Sequence, residues 1–312
     1  MSSDRKPLTA YWAPRYWPIW VGIAILRVIC LLPHRVGLAI GTSIGKIAHA
    51  FGGSRRRVVR RNIELCFPEL STEERNRLAK RHFEALGMSI IEMGLARWAS
   101  ERFHRKIARL EGIEHLHAAI ESGQGVILLC AHFTTMEIMG RLLAIDCPPY
   151  DAVYRKSRSD FITELLRSGR EVSAGGTIEK RDIKQLVRSL RSGRPVWYAP
   201  DQSYDRKGSA VVEFFGVPSM HTTATSTLAR LGRAVALPFF PRRLPNGHYE
   251  FRILPPLKNF PSDDEIEDTR QYVRILEQHI RVCPEQYFWI HRKFKNLPPG
   301  FEDYYADLDA AK

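Results

Sequence analysis

The stretch Val126-Ile127-Leu128-Leu129-Cys130-Ala131-His132-Phe133-Thr134-Thr135-Met136-Glu137-Ile138-Met139-Gly140-Arg141 decides how the rest of the chain is read. Val126 to Cys130 is a short apolar run preceded by Gly123 and Gly125, the pattern of a strand buried on both faces. Apolar character stops at His132. Ile138, Met139, Leu142 and Leu143 then restart it at helical spacing. A strand ends, turns and becomes a helix, and His132 stands at the strand's carboxyl end, where open α/β sheets place their ligands.

His132 and Glu137 have four residues between them. On one continuous helix they would lie about 140° apart and could not meet. They meet if His132 lies in the turn and Glu137 in the first helical turn. A carboxylate there fixes one imidazole nitrogen and leaves the other as a base. No G-x-S-x-G nucleophile motif occurs, so the pair suits direct transfer, in which His132 takes the proton of an attacking hydroxyl. Two plainer readings stay open. Thr134 and Glu137 also fit a capping box, and a histidine after a strand is often a satisfied core residue. Cys130 is a further candidate nucleophile, but inside an apolar run a cysteine usually acts as a small hydrophobe.

Working outward, strands alternate with helices across residues 110–255. Ala152 to Arg155 reads as a second strand ending on a cation, Thr177-Ile178 as a third, and Val196 to Ala199 as a fourth ending at Asp201-Gln202. Gly193 caps the amphipathic helix before that fourth strand. Further strands are expected near Val211–Phe215, Ala234–Phe240 and Glu250–Leu254, with a turn at Pro245-Asn246-Gly247 and a helix over residues 263–281. The class is α/β, with a mostly parallel or mixed sheet flanked by helices and a helical amino-terminal region. Tyr154, Arg155, Asp201 and Gln202 stand at strand ends and are the candidate substrate-binding residues. Asp201 binds substrate or caps the loop after it.

The chain divides into a polar tail (1–15) expected to lack order, a membrane anchor (16–34), a helical membrane-proximal region (35–110), an α/β catalytic domain (111–297) and a poorly ordered acidic tail (298–312). Tyr16 to Leu32 is apolar except for Arg27, and Tyr11, Trp12, Tyr16, Trp17 and Trp20 form an aromatic cluster of the membrane-interface kind. Seventeen residues is the lower limit for a span, and Arg27 would cost roughly 2.5–3.5 kcal/mol at mid-bilayer. The expectation is a single uncleaved anchor, spanning or deeply interfacial. Gly37, Gly41 and Gly45 allow close helix packing. Arg55, Arg56, Arg57, Arg60 and Arg61 put five cations into seven residues, a patch for anionic lipid that places the following domain on the cytoplasmic side. A Ser71–Glu74 capping box starts another helix.

The 312 residues carry a formal net charge of +13, which calls for an anionic partner. Nucleic acid is excluded because no recognition motif accompanies the charge. The five cysteines are widely spaced with no C-x-x-C, which reads as reduced, cytosol-facing and free of metal. No metal or other cofactor is expected.

The segment His132–Glu137 resembles the H-x4-[D/E] motif of the glycerolipid acyltransferase superfamily. Together with residues 62–69, 153–155, 196–202 and 284–295 it is similar to the late acyltransferases of lipid A biosynthesis, lauroyltransferase branch, over about Tyr11 to Pro298. Where the wider superfamily carries Glu-Gly, this chain has Asp201-Gln202. The resemblance implies transfer of a fatty acyl chain, lauroyl by branch, from acyl carrier protein to a hydroxyl of a Kdo-linked lipid IVA precursor at the bacterial inner membrane. It makes His132 the general base oriented by Glu137, with Arg155 neutralising charge or binding phosphate and amides at the helix start holding the oxyanion. Other acyl chains, and a lysophospholipid or other glycolipid acceptor, remain as alternatives. So does a basic membrane-binding protein without activity.

Overall fold

The computed structural model describes residues 6–204 and 208–310. Helices come first: α1 (Trp17–Ile29), α2 (His34–Phe51), α3 (Gly53–Cys66) and α4 (Thr72–Trp98). A short α5 (Glu101–Ile107) runs into β1 (Ala108–Glu111), and α6 (Ile113–Glu121) into β2 (Gly125–Leu129). Alternation continues through α7 (Met136–Asp146), β3 (Asp151–Tyr154), α8 (Asp160–Glu171), β4 (Gly176–Glu179), α9 (Ile183–Arg191) and β5 (Val196–Tyr198). An antiparallel ribbon of β6 (Ser209–Phe214) and β7 (Val217–Thr222) interrupts it. Then follow α10 (Ala224–Gly232), β8 (Ala234–Arg243), β9 (Tyr249–Ile253), α11 (Glu265–Val282) and α12 (Ala306–Ala310).

The main sheet has seven strands in the order β1-β9-β8-β2-β5-β3-β4. Every pairing is parallel except that of β8 with β9, joined by a tight turn at Leu244–His248. β2 takes the central place because all five of its residues are apolar or Gly and all are buried. The two-residue period of a strand sends Ile127 and Leu129 into one core and Val126 and Leu128 into the other. The α/β class and the mixed sheet are as the sequence implied. Since β2, β5, β3 and β4 run in one direction, their carboxyl ends open on one edge of the sheet, where the strand order reverses around β2.

The amino-terminal helices pack onto this sheet. α2 and α4 approach backbone to backbone: a Cβ on Gly41 would lie 2.7 Å from Met88 Cα, and one on Gly87 2.0 Å from Gly41 O. The glycine spacing in α2 is therefore a packing device. The Ser71–Glu74 capping box forms as expected. Arg243, from the sheet, meets Glu92 of α4 at 2.6 Å, and Tyr249 donates to the same carboxylate at 2.7 Å. This buried pair ties the helical region to the α/β layer.

The expectation of a spanning anchor over residues 16–34 is corrected. The apolar run breaks at Pro33, which disfavours helix in the residue before it, and α1 holds 13 residues. At 1.5 Å per residue that is about 20 Å, against about 30 Å of hydrocarbon. Among the described residues no helix is long and apolar enough to cross a membrane. α1 instead has two faces. Ile23, Leu26 and Ile29 are half-buried, while Trp17, Val21, Ile25 and Val28 are 56–62% exposed.

Both tails are better held than their composition suggested. Tyr11 is 5% exposed and stacks on Phe161 of α8 at 4.9 Å; residues 1–5 of the expected disordered tail lie outside the described ones. In the acidic carboxyl tail Tyr305 is 1% exposed, its hydroxyl donating to Asn62 Oδ1 and accepting from the Phe294 N–H, and Asp307 and Asp309 pair with Arg61 and Arg292. The tail's negative charge is matched to the positive charge of α3 and of the segment before it.

Candidate active site

β2 carries the chain to Cys130 in a fully buried run, and His132 is the first side chain to reach the open edge, 29% exposed. Its backbone is pinned on both sides. The His132 N–H donates to Asp201 Oδ2 at 3.1 Å, and its carbonyl accepts from Phe288 N–H at 3.0 Å. The ring nitrogen Nδ1 lies 2.6 Å from Asp201 Oδ1. Asp201 follows β5, the parallel neighbour of β2, so the two strand ends deliver base and carboxylate side by side.

Asp201 is 2% exposed. Oδ2 already accepts from the His132 N–H and from the Tyr287 hydroxyl at 3.1 Å. The carboxylate is thus an acceptor on every side, Nδ1 must be the protonated nitrogen, and Nε2 is left with its lone pair. Burial by itself would raise the Asp201 carboxyl. The charge and hydrogen bond of His132 and the ammonium of Lys293 outweigh it and hold the group well below the usual carboxylate range. Lys293 is itself buried and donates to Asp201 O at 2.6 Å. Burial pushes its ammonium down to about 8, against the pull of Asp201. His291 stands over His132 with ring centroids 6.1 Å apart. Desolvation, then repulsion from His132, push it down to about 4.

Glu137 does not hold the imidazole. It lies in the first turn of α7, but its carboxylate meets Arg170 of α8, with Oε1 2.6 Å from Nη2. The expectation that Glu137 orients His132 is therefore corrected: Asp201 has that contact, and Glu137 holds a half-buried arginine. The capping-box reading does not hold either, because the residue before α7 is Thr135 and makes no side-chain cap bond. The amides of Thr134 and Met136 are already donated, to Gln286 O and Phe133 O, so they are not available to an oxyanion. Cys130 is fully buried and burial pushes its thiol up to about 12, which removes it as a nucleophile.

His132 faces a cleft of about 1160 Å³ shared with Tyr154, Arg155, Gln202 and Tyr204. The structure thus brings together every sequence-named site residue except Glu137, which stands behind the wall formed by Arg170. Two arms lead off. One, of about 1250 Å³, continues past Arg155 and Gln202 between Lys156, Lys180, Arg181, Arg292 and Lys295. The other, of about 680 Å³, is apolar, lies between α1, α4 and α8, and touches the cleft at Leu166, Arg170 and Trp197. Sequence reasoning missed Arg170, Tyr287 and Lys293 as parts of the site; the last two stand in the quoted segment 284–295, but nothing local shows what they touch. Among the described residues no cluster of three or more His, Cys, Asp or Glu could hold a metal ion.

A family model described as bacterial lipid A biosynthesis acyltransferase matches residues 5–296. The chain is 36% identical to the lipid A biosynthesis lauroyltransferase of Escherichia coli K12 over 307 residues, covering 98% of this chain and 100% of that protein. It is 35% identical to the palmitoleoyltransferase of the same organism over 294 residues (94% and 95%), and 28% identical to its myristoyltransferase over 294 residues (92% and 90%).

Proposed function

The chain belongs to the bacterial lipid A biosynthesis acyltransferases and is an acyltransferase, and on that premise we propose that His132 and Asp201 are its base and orienting carboxylate. The observation that carries this reading is the 2.6 Å contact of Nδ1 with an otherwise saturated, buried carboxylate, which leaves Nε2 facing the cleft. His132 Nε2 takes the proton of an acceptor hydroxyl as the oxygen attacks the acyl carbonyl. The tetrahedral intermediate collapses, the carbon–sulfur bond of a thioester donor breaks, and the imidazolium returns its proton to the departing thiolate. Asp201 stays ionised and stabilises the imidazolium, as in a Ser-His-Asp triad but with the substrate supplying the nucleophile. Arg170, fixed by Glu137, stands where the apolar arm meets the cleft, so an acyl group lying across the junction has its carbonyl near a cation.

The donor is acyl–acyl carrier protein and the acceptor a phosphorylated Kdo-linked lipid IVA precursor. The basic arm beside Arg155 supports a phosphorylated acceptor, since guanidinium groups bind phosphate bidentately. Lauroyl is the chain the 36% relative's name favours, although the relatives differ among themselves in that respect. The enzyme works at the membrane surface. The exposed stripe Trp17, Val21, Ile25 and Val28, together with Phe51 at 87% exposure and the arginines of α3, supports interfacial seating on anionic lipid.

The test is turnover by purified protein with lauroyl–acyl carrier protein and Kdo-lipid IVA, followed by mass spectrometry of the product. His132→Ala lowers kcat by about 10² to 10⁴ with the fold intact. A fully active His132→Ala enzyme would falsify the mechanism.

A further inference from the structure

The reaction uses His132 and Asp201 and leaves a buried ammonium behind them without a task. Lysine is almost never fully buried unless it is paired, yet Lys293 is 4% exposed. Its Nζ donates to the backbone carbonyl of Asp201 at 2.6 Å, not to the carboxylate. The same Nζ lies 3.3 Å from His221 Nε2 and 4.7 Å from the centre of the Phe214 ring. Lys293 does not line the cleft or its basic arm, so it does not meet substrate there.

The seat of this ammonium is made by the β6–β7 ribbon, which stands outside the seven-stranded sheet. The two-residue period sets Ser219 and His221 on one face of β7. The register opposes them to Val212 and Ala210, so Phe214 of β6 shares that face. His221 is 1% exposed, with Nε2 2.8 Å from Ser219 Oγ. Burial, then the charge of Lys293, push its imidazole well below the usual histidine range, so it meets the ammonium as a neutral group. An aromatic face and a neutral imidazole stabilise a cation without cancelling its charge. That charge is left to act on Asp201, where it helps keep the carboxylate ionised.

The balance decides what a proton on His132 costs. Lys293 and Asp201 together are neutral, so protonating His132 adds net charge to the cluster. Without Lys293 the same proton would neutralise Asp201, and the imidazole would hold it to higher pH. We propose that Lys293 is a positioning residue that fixes Asp201 through its backbone and, by offsetting its charge, keeps the imidazole of His132 free to act as a base; this rests on the reading of the dyad above. Other ionisable groups face the pair. Around His132 they are His291 and, across the cleft, Arg155, Arg167, Arg170, Lys180, Tyr154, Tyr198 and Tyr204. Around Lys293, besides Asp201 and His221, they are Cys66 and Glu277. A substitution at Lys293 leaves all of them in place, and His291, pushed down to about 4, is already neutral at working pH.

The experiment uses the full chain as wild type, Lys293→Gln, Lys293→Met and Lys293→Arg. Glutamine keeps an N–H donor for the Asp201 carbonyl without the charge, methionine removes both, and arginine keeps both. With lauroyl–acyl carrier protein and Kdo-lipid IVA, the acid limb of kcat/KM reports loss of the free base. In the Gln and Met variants that limb is expected about one pH unit higher, as for unit charges several ångströms apart at an effective dielectric constant of about 20. The rate then falls about tenfold below the limb and recovers above it, while the Arg variant keeps the wild-type limb. A lysine that only packs, or only holds the carbonyl, gives a loss equal at every pH.

A second readout needs no turnover. Carbethoxylation of His132 by diethyl pyrocarbonate, read by mass spectrometry of its peptide, measures unprotonated imidazole against pH, and its midpoint should rise by the same amount in the Gln and Met variants. If it rises while wild type transfers no acyl group, Lys293 keeps its assignment and the reading of the reaction falls. A labelling midpoint that does not move in the folded Lys293→Gln protein overturns the proposal, however slow that variant is. An equal shift in the folded Lys293→Arg protein does so too, because the charge is then not what matters.

Discussion

Replacing Asp201 by Asn tests the site most directly. The carboxylate accepts three hydrogen bonds, from His132 Nδ1, from the His132 backbone N–H and from the Tyr287 hydroxyl. Asparagine keeps the shape but turns one acceptor oxygen into a donor. If its oxygen remains with the backbone N–H and Tyr287, its NH₂ faces Nδ1 and forces the other tautomer, with the proton on Nε2 and no base in the cleft. If the amide flips, two donors are left without an acceptor in a buried site. The same substitution in a serine-protease triad lowers kcat by about 10⁴ through the wrong tautomer. Here a loss of about 10² to 10⁴ is expected, or about 3 to 5 kcal/mol of transition-state stabilisation. Initial rates and thermal midpoints of Asp201→Asn, His132→Ala and the double variant give the answer. Because the two residues act as one unit, the double variant should be little slower than the worse single one. Glu137→Gln combined with His132→Ala should be additive instead, since Glu137 acts through Arg170. An Asp201→Asn enzyme folded as wild type and within threefold of its kcat refutes the argument, as does non-additivity that appears with Glu137 and not with Asp201.

Acid sensitivity follows from a second buried histidine. His82 is fully buried and burial lowers it to about 4, its Nδ1 bonding Glu285 O at 3.0 Å. Between its unfolded value near 6.5 and about 4 the unfolded chain binds the extra proton, so stability falls as pH drops through that window, by on the order of 3 kcal/mol. Thermal midpoints from pH 7 to 4 should show this slope, and His82→Gln should flatten it; an unchanged slope would count against a neutral His82. For the membrane face, Ile25→Asp with Val28→Asp should reduce sedimentation with anionic vesicles at least tenfold without lowering the thermal midpoint, because both side chains are exposed. Equal sedimentation would remove α1 from the docking surface.

The central strand, its histidine and the order of elements were legible because they are local: five buried residues, a polar stop, and helical spacing after it. The orienting carboxylate was not, because its partner lies 69 residues away. Sequence offered Glu137 as the near acid, and only the β2–β5 pairing shows that Asp201 is nearer in space. The amino-terminal run misled for a related reason. Its apolar count is that of a span, but Tyr11, Tyr16 and Trp20 pack around Phe161, so part of that surface is spent on the protein and only one stripe of α1 is left outside. The acidic tail read as unordered since nothing in its own sequence shows that Arg61 and Arg292 wait for it.

The segment Gln286–Lys293 lies behind every part of the reaction centre. Gln286 accepts from Thr134, Tyr287 donates to Asp201, Phe288 donates to His132 O, and Lys293 donates to the Asp201 carbonyl. Asn62, near the other end of the chain, reaches Trp289 O and His291 O at 2.7 Å each. During synthesis the base and its carboxylate leave the ribosome long before this segment does. The chain therefore cannot become an active catalyst piecemeal: strand, helix and histidine are all in place while the pair that does the chemistry still lacks its backing. A protein shortened before Gln286 would keep the strand pairing that brings His132 and Asp201 together and lose all four of the bonds that hold them from behind.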